Sequence, residues 1–193
     1  MLVIGITGTL GSGKGTIVDY LVKQKGFAHY SVRAFVSAEI MRRGMEVNRD
    51  NMVVVANDLR KQHSPSYITD QLFLKAKAEG RDSVIESIRT PGEVYSLRKL
   101  GEFLLFAIDA DPAIRYQRIT LRKSETDNVS FKTFLENEQR EMQSPDPNSQ
   151  NLSKCIELAD FHFLNNGTIE QLNLQVQEIL EHLNTRTPEH LKT

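Results

Sequence analysis

The chain has 193 residues, of which 39% are hydrophobic, a formal net charge of −1 and a single cysteine. That length suits one domain with a sizeable core, and the near-neutral balance makes no electrostatic case for a nucleic-acid or membrane-surface partner. One cysteine excludes an internal disulfide and suits a reducing compartment, so a cytoplasmic location is expected.

Strand and helix signals alternate from end to end. Residues 2–7 read as a strand, and the apolar stripe Ile17, Val18, Leu21 and Val22 reads as a helix over about 14–25. The N-terminus enters its strand at once, which leaves no room for a signal peptide. Ala28–Ser31 is a short strand, followed by a helical segment through about Arg43 that stops at Gly44. Asn48 caps a helix over about 49–62 with Met52, Val55, Ala56 and Leu59 inward. Ser64-Pro65 opens a helix that ends near Gly80. Residues 83–88 are a strand, and Thr90-Pro91-Gly92-Glu93 reads as a capping box. Phe103–Asp109 is a strand, too short an apolar run to span a bilayer. Asp111-Pro112 opens a helix to about Lys123, and Ser130 caps one over about 131–142. Residues 144–149 form a loop, 161–165 a final strand, and Thr168 with Gln171 caps an amphipathic helix to Leu183. The tail from Asn184 is polar. Alternation of this kind predicts a parallel sheet covered on both faces, with ligands at the C-terminal ends of its strands.

The stretch Gly8-Thr9-Leu10-Gly11-Ser12-Gly13-Lys14-Gly15-Thr16 lies between the first strand and its helix. Strand, glycine loop and helix in that order are the context of a phosphate-binding P-loop. Glycines let successive backbone N–H groups turn inward as an anion nest, and the helix adds its positive end. Lys14 supplies a point charge for the β- and γ-phosphates. Gly11, Ser12, Gly13, Lys14, Gly15 and Thr16 are therefore the expected nucleotide contacts. Gly15 stands directly after the lysine, where many GTPases and ATPases place a Ser or Thr on magnesium.

Phosphoryl transfer is positioning plus neutralisation of charge, so cations near the strand ends matter. Arg33, Arg42, Arg43 and Arg49 follow the second strand, and Arg89 follows the third. Arg115, Arg118 and Arg122 share one helix face by their spacing. Glu86 interrupts an apolar run at a strand end, where a Walker B acid would face magnesium or its water. Cys155 reads as a small buried hydrophobe, and His29, His63 and His162 lack metal-ligand spacing.

The form G-x-x-G-x-G-K-G-T resembles adenylate kinase and related nucleoside monophosphate kinases. The stretch Ala159–Thr168 is similar to the end of dephospho-CoA kinases, where an Asn-x-Gly-type loop lies near adenine. The middle, Arg42–Glu46 through Asn57–Lys61, resembles a branch of dephospho-CoA-kinase-like nucleotide kinases found in archaea. That branch shows Asp-Gly-x-Arg where this chain has Glu86-Ser87-Ile88-Arg89, and a lid Arg-Asp pair where it has Asn137-Glu138. The resemblance to the P-loop nucleotide kinase superfamily implies a three-layer α/β/α fold with a central parallel five-stranded sheet and a short helical lid. It implies one domain over 1–183, with an acceptor-binding helical insertion at about 33–80, a lid at about 118–150 and a polar tail at 184–193. It implies ATP as donor and magnesium held largely through water, with Thr16 and Glu86 near the metal. Arg118 and Arg122, with Arg140 behind them, would close over the transferred group. Asn166 and Gly167 would meet the adenine, and Ser31, Arg33 and Arg89 would hold a small-molecule nucleotide acceptor. Dephospho-CoA kinase is the alternative; it needs a base for a ribose hydroxyl, and Thr7 and Thr9 stand where an acid would serve. A nucleotide-binding regulatory protein and a partner-dependent ATPase are the rivals of other classes.

Overall fold

The computed structural model of the chain describes residues 1–122, 129–143 and 150–186. Among them the chain runs β1 (Val3–Gly8), α1 (Lys14–Lys25), β2 (Ala28–Ser31), α2 (Val32–Arg42), α3 (Arg49–Gln62) and α4 (Tyr67–Glu79). It continues through β3 (Ser83–Glu86), α5 (Pro91–Leu100), β4 (Phe103–Asp109), α6 (Pro112–Leu121) and α7 (Phe131–Met142). It closes with α8 (Leu152–Glu157), β5 (Phe161–Leu164) and α9 (Ile169–Arg186).

The five strands are all parallel, in the order β2-β3-β1-β4-β5. β1 is central because both of its faces are apolar. Ile4 and Ile6 pack with Val84, Phe106 and Ile108 against Ile17, Leu21, Leu172 and Val176 of α1 and α9. Val3 packs on the other face with Ile85 and Leu105 against α2, α3, α4, α5 and Cys155 of α8. Three layers result, as expected, and the core fixes which edge of the sheet is open. The strands all point to one edge, where β1 delivers the glycine loop and its neighbours β3 and β4 deliver Glu86 and Asp109. Burial pushes the Cys155 thiol up to about 12, with the Glu93 charge adding to it, so this cysteine is an inert apolar residue.

Several boundaries depart from the sequence reading for local reasons. The fourth helix begins at Tyr67, not at Pro65: the turn closes from the Tyr67 amide to the Ser64 carbonyl at 3.1 Å, and Ser66 is the capping position. The third strand ends at Glu86 rather than residue 88, because Ser87 adopts φ 71°, a left-handed conformation that breaks the ladder. The six-residue helix α8, capped by the Asn151 side chain on the Lys154 amide, is additional to the expected elements. The last helix continues past Leu183 to Arg186. The loop expected at 144–149 lies outside the described residues.

Candidate active site

The glycine loop has the geometry of an anion cradle. Gly11 and Gly13 sit at φ 81° and 100°, and a Cβ on either would strike neighbouring atoms, the Arg115 carbonyl oxygen at 2.6 Å and Asn165 Nδ2 at 2.2 Å respectively. Only glycine satisfies both the torsion and the space. Gly13 is the capping residue of α1, so the amides of Lys14 and Gly15 begin the helix without a carbonyl partner inside it, while that of Thr16 closes the first turn on the Gly13 carbonyl at 2.9 Å. Lys14 Nζ donates to the carbonyls of Gly8 and Thr9 at 2.9 and 2.7 Å. Burial lowers its ammonium to about 7; Arg89 and Arg122 act in the same direction, against Glu141 and Glu86. One lysine thus feels charges from three separate elements, β3 with its following loop, the end of α6, and α7.

The loop is braced from both sides. Asn165, buried after β5, donates from Nδ2 to the Ser12 carbonyl at 2.8 Å, and its own amide donates to Asp109 at 2.8 Å. Thr9 donates to Asp109 Oδ1 at 2.6 Å, and Thr7 donates to the Ile88 carbonyl at 2.8 Å. Arg115 is 2% exposed and donates from Nη1 to the Leu10 carbonyl at 3.3 Å, from Nε to Ala110 at 2.7 Å, and from Nη1 and Nη2 to Glu138 of α7. Arg115 therefore ties the P-loop to α7 and does not share the open setting of Arg122.

Two buried polar atoms here have no hydrogen-bond partner among the described residues: Ser12 Oγ in the loop, and Arg118 Nη1 on the Arg115 face of α6. An orphaned hydroxyl inside a glycine cradle fits a bound phosphate better than it fits a closed protein interior. The residues present therefore suit a polyphosphate.

On the other side of Lys14, Glu86 pairs in register with Ile6 and with Ser31, which places it between the P-loop strand and β2. His29 Nε2 lies 3.4 Å from its carboxylate. Arg89 projects from the next loop and donates from Nη1 to Glu141 Oε2 at 3.0 Å and to Gln150 Oε1 at 2.6 Å. Its amide and that of Thr90 donate to Glu93 Oε2 at 2.8 and 2.9 Å, completing the expected capping box on α5. Glu93 is fully buried, and its other oxygen accepts from Arg60 of α3 at 3.3 Å. The helical insertion is thereby wired to the Arg89 loop.

The remaining expected residues fall as follows. Ser31 spends its hydroxyl capping α2, accepting from Ala34 at 3.3 Å. Arg33 is exposed on the first turn of α2, while Arg42 and Arg43 are held by Glu39 and, for Arg43, Asp58 of α3. These ion pairs hold the Glu39 carboxyl down at about 2. Asn166 ties two loops by accepting from the Asp111 amide at 2.8 Å, and Gly167 is exposed beside it. Arg140 is exposed and bonds its own helix at Asn137 and Glu136. Lys14, Glu86, Arg89 and Arg122 come together, Arg118 lies one turn before Arg122 on α6, and Arg140 does not join them. Sequence reasoning missed Asn165, Glu138 and Glu141 as supports, since their partners are far along the chain. Among the described residues no three His, Cys, Asp or Glu side chains gather as a metal cage, and no helix is long and apolar enough to cross a membrane.

Sheet order, glycine cradle and convergent cations define a P-loop protein with the kinase-type fold, the class that binds nucleotides. Residues 4–144 match the family described as AAA domain, and the chain belongs to the UPF0200 proteins. It is 32% identical to a UPF0200 protein of Methanococcus vannielii over 93% of this chain and 97% of that one. It is 30% identical to UPF0200 protein MJ1399 of Methanocaldococcus jannaschii over 95% and 93%. Among solved structures it shares its fold with TT1252 from Thermus thermophilus, at TM-score 0.62 and 18% identity over 94% of this chain and 97% of that one. Shikimate kinase from Bacteroides thetaiotaomicron superposes at TM-score 0.59 and 14% identity over 93% and 98%.

Proposed function

We propose that the chain is a phosphotransferase that uses ATP and magnesium to phosphorylate a nucleotide or nucleotide-like small molecule in the cytoplasm. The observation that carries this reading is the convergence on Lys14 of Arg89 from the acceptor side and Arg122 from the lid side. A phosphoryl group passing between two anions needs cations on both. The P-loop amides from Gly11 to Thr16 and Lys14 hold the donor phosphates. Arg118, with its unpartnered Nη1, and Arg122 cover the transferred group. Arg89, with Arg33 and Ser31 at the mouth of α2, receives the acceptor. Asn166 and Gly167 border the adenine end. Thr16 and Glu86, the latter through water, are the residues that would hold magnesium, which would supply positive charge to the donor phosphates.

A phosphate acceptor is favoured over the ribose hydroxyl of dephospho-CoA. Thr7 and Thr9 both commit their hydroxyls to protein acceptors, and the Asp109 oxygen that Thr9 reaches also accepts from the Ala110 amide. Neither threonine is therefore free to act on a hydroxyl at the front of the loop, whereas a monophosphate is already an anion and needs no base. A regulatory nucleotide-binding protein is the rival class, and it predicts ATP binding without acceptor-stimulated turnover. A panel of nucleoside monophosphates and dephospho-CoA with Mg-ATP, read as ADP release against Lys14→Ala, tests the assignment. Acceptor-stimulated release lost in the variant supports it.

A further inference from the structure

The helical insertion carries a row of aromatic rings outside the phosphate-binding residues. Tyr67, the first residue of α4, stacks on His63 at the end of α3, with ring centroids 3.9 Å apart and planes at 16°. Phe35, in the first turn of α2, meets Tyr67 edge-on at 6.5 Å and 79°. The row ends at His63, which is exposed and whose ring makes no hydrogen bond among the described residues. Its location follows from three contacts. α2 leaves β2 at the ligand edge of the sheet, so Phe35 stands one turn above that edge. Pro65, between His63 and Tyr67, packs on Gly92, where an added Cβ would be 3.3 Å from the proline ring. Arg60, one turn before His63, is bonded to Glu93, whose second oxygen carries the Arg89 amide. The rings therefore flank the loop that carries Arg89.

We infer that the exposed end of this row, His63 backed by Tyr67, is a stacking platform for a planar ring on the acceptor, with Arg89 taking the anion at the acceptor's other end. A nucleoside monophosphate has both features. A sugar acid has the anion and no ring. The inference rests on the phosphotransferase reading and narrows its acceptor to a ring-bearing nucleotide. A base stacked on an aromatic side chain gains enough to change affinity by roughly tenfold or more. Backing by Tyr67 holds the imidazole in one plane, so little ordering is needed when a base arrives.

The test uses the full chain with Mg-ATP and a panel of AMP, GMP, CMP, UMP, gluconate and shikimate, comparing the parent with His63→Ala and His63→Phe. His63 is exposed, so both variants retain the core. The expected result is turnover of a nucleoside monophosphate, an acceptor KM raised about tenfold in His63→Ala, kcat and the KM for ATP unchanged, and recovery in His63→Phe. An unchanged acceptor KM in His63→Ala, or preference for gluconate or shikimate, which carry no aromatic ring to stack, overturns the platform while leaving the phosphotransferase intact. Absence of turnover with every acceptor overturns the phosphotransferase instead. The platform is then judged by titrating the nucleoside monophosphates against the His63 imidazole resonances: shifts support it, and none refutes it.

Discussion

Arg115, almost wholly buried, is forked by the Glu138 carboxylate across 23 residues while its Nη1 also reaches the Leu10 carbonyl of the P-loop. One guanidinium thus joins the nucleotide cradle to the helix that would act as lid, and the ring of Phe134 lies 5.5 Å beneath it. Removing the carboxylate leaves a buried cation without its main partner. Glu138→Ala should lower stability by about 3 kcal/mol in urea unfolding, and Glu138→Gln by less. Wild-type stability in Glu138→Ala would show the pair to be dispensable.

Ser87 sits at φ 71°, in the left-handed region that favours glycine. A non-glycine residue in that conformation is strained by about 1–2 kcal/mol. Ser87→Gly should therefore raise stability by about 1 kcal/mol, less the entropy glycine adds to the unfolded chain. A lower melting temperature for the variant would mean that the serine side chain makes good the strain.

How much was legible in the sequence divides along chain separation. The P-loop needs only neighbours, since strand, glycines and helix are consecutive, and the capping boxes at Thr90 and Thr168 are local by construction. The layers followed from alternation and apolar spacing. What was hidden depends on partners far away: Asn165 reaches Ser12 across 153 residues, and Arg60 reaches Glu93 across 33. Arg115 carried the same spacing signal as Arg118 and Arg122, and only its burial against Glu138 separates it from them. The cap before α4 was misplaced because Ser64 and Ser66 carry equal signals; Ser66 Oγ turns instead to Asp70 at 2.8 Å.

Lys14 gives a signed pH dependence. Its folded ammonium is lowered to about 7, first by burial and then by Arg89 and Arg122. Bound phosphate restores the proton affinity, so binding takes up a proton above pH 7. ATP affinity should be flat below about pH 6 on this account and fall above pH 7, by at most tenfold per pH unit for one proton. Calorimetry in buffers of differing ionisation enthalpy reads the uptake directly, and zero uptake at pH 8 contradicts it. For stability the sign is opposite to a salt-bridged lysine: the unfolded chain holds the extra proton, so the empty protein gains stability as pH rises from about 7.

Glu141 stands on Arg89 where an acceptor anion would compete for the same guanidinium. Glu141→Gln weakens that internal contact and removes one negative charge near Lys14. The acceptor KM should fall severalfold with kcat preserved. A collapse of kcat at unchanged KM would assign Glu141 a proton-transfer role instead.

The most direct measurement of the central claim is ADP release from Mg-ATP with and without nucleoside monophosphates, in the parent chain and in Lys14→Ala. Release should rise with acceptor and fall by at least a hundredfold in Lys14→Ala, about 3 kcal/mol of lost transition-state stabilisation. ATP binding with no acceptor-stimulated release, or transfer that survives Lys14→Ala, would contradict it.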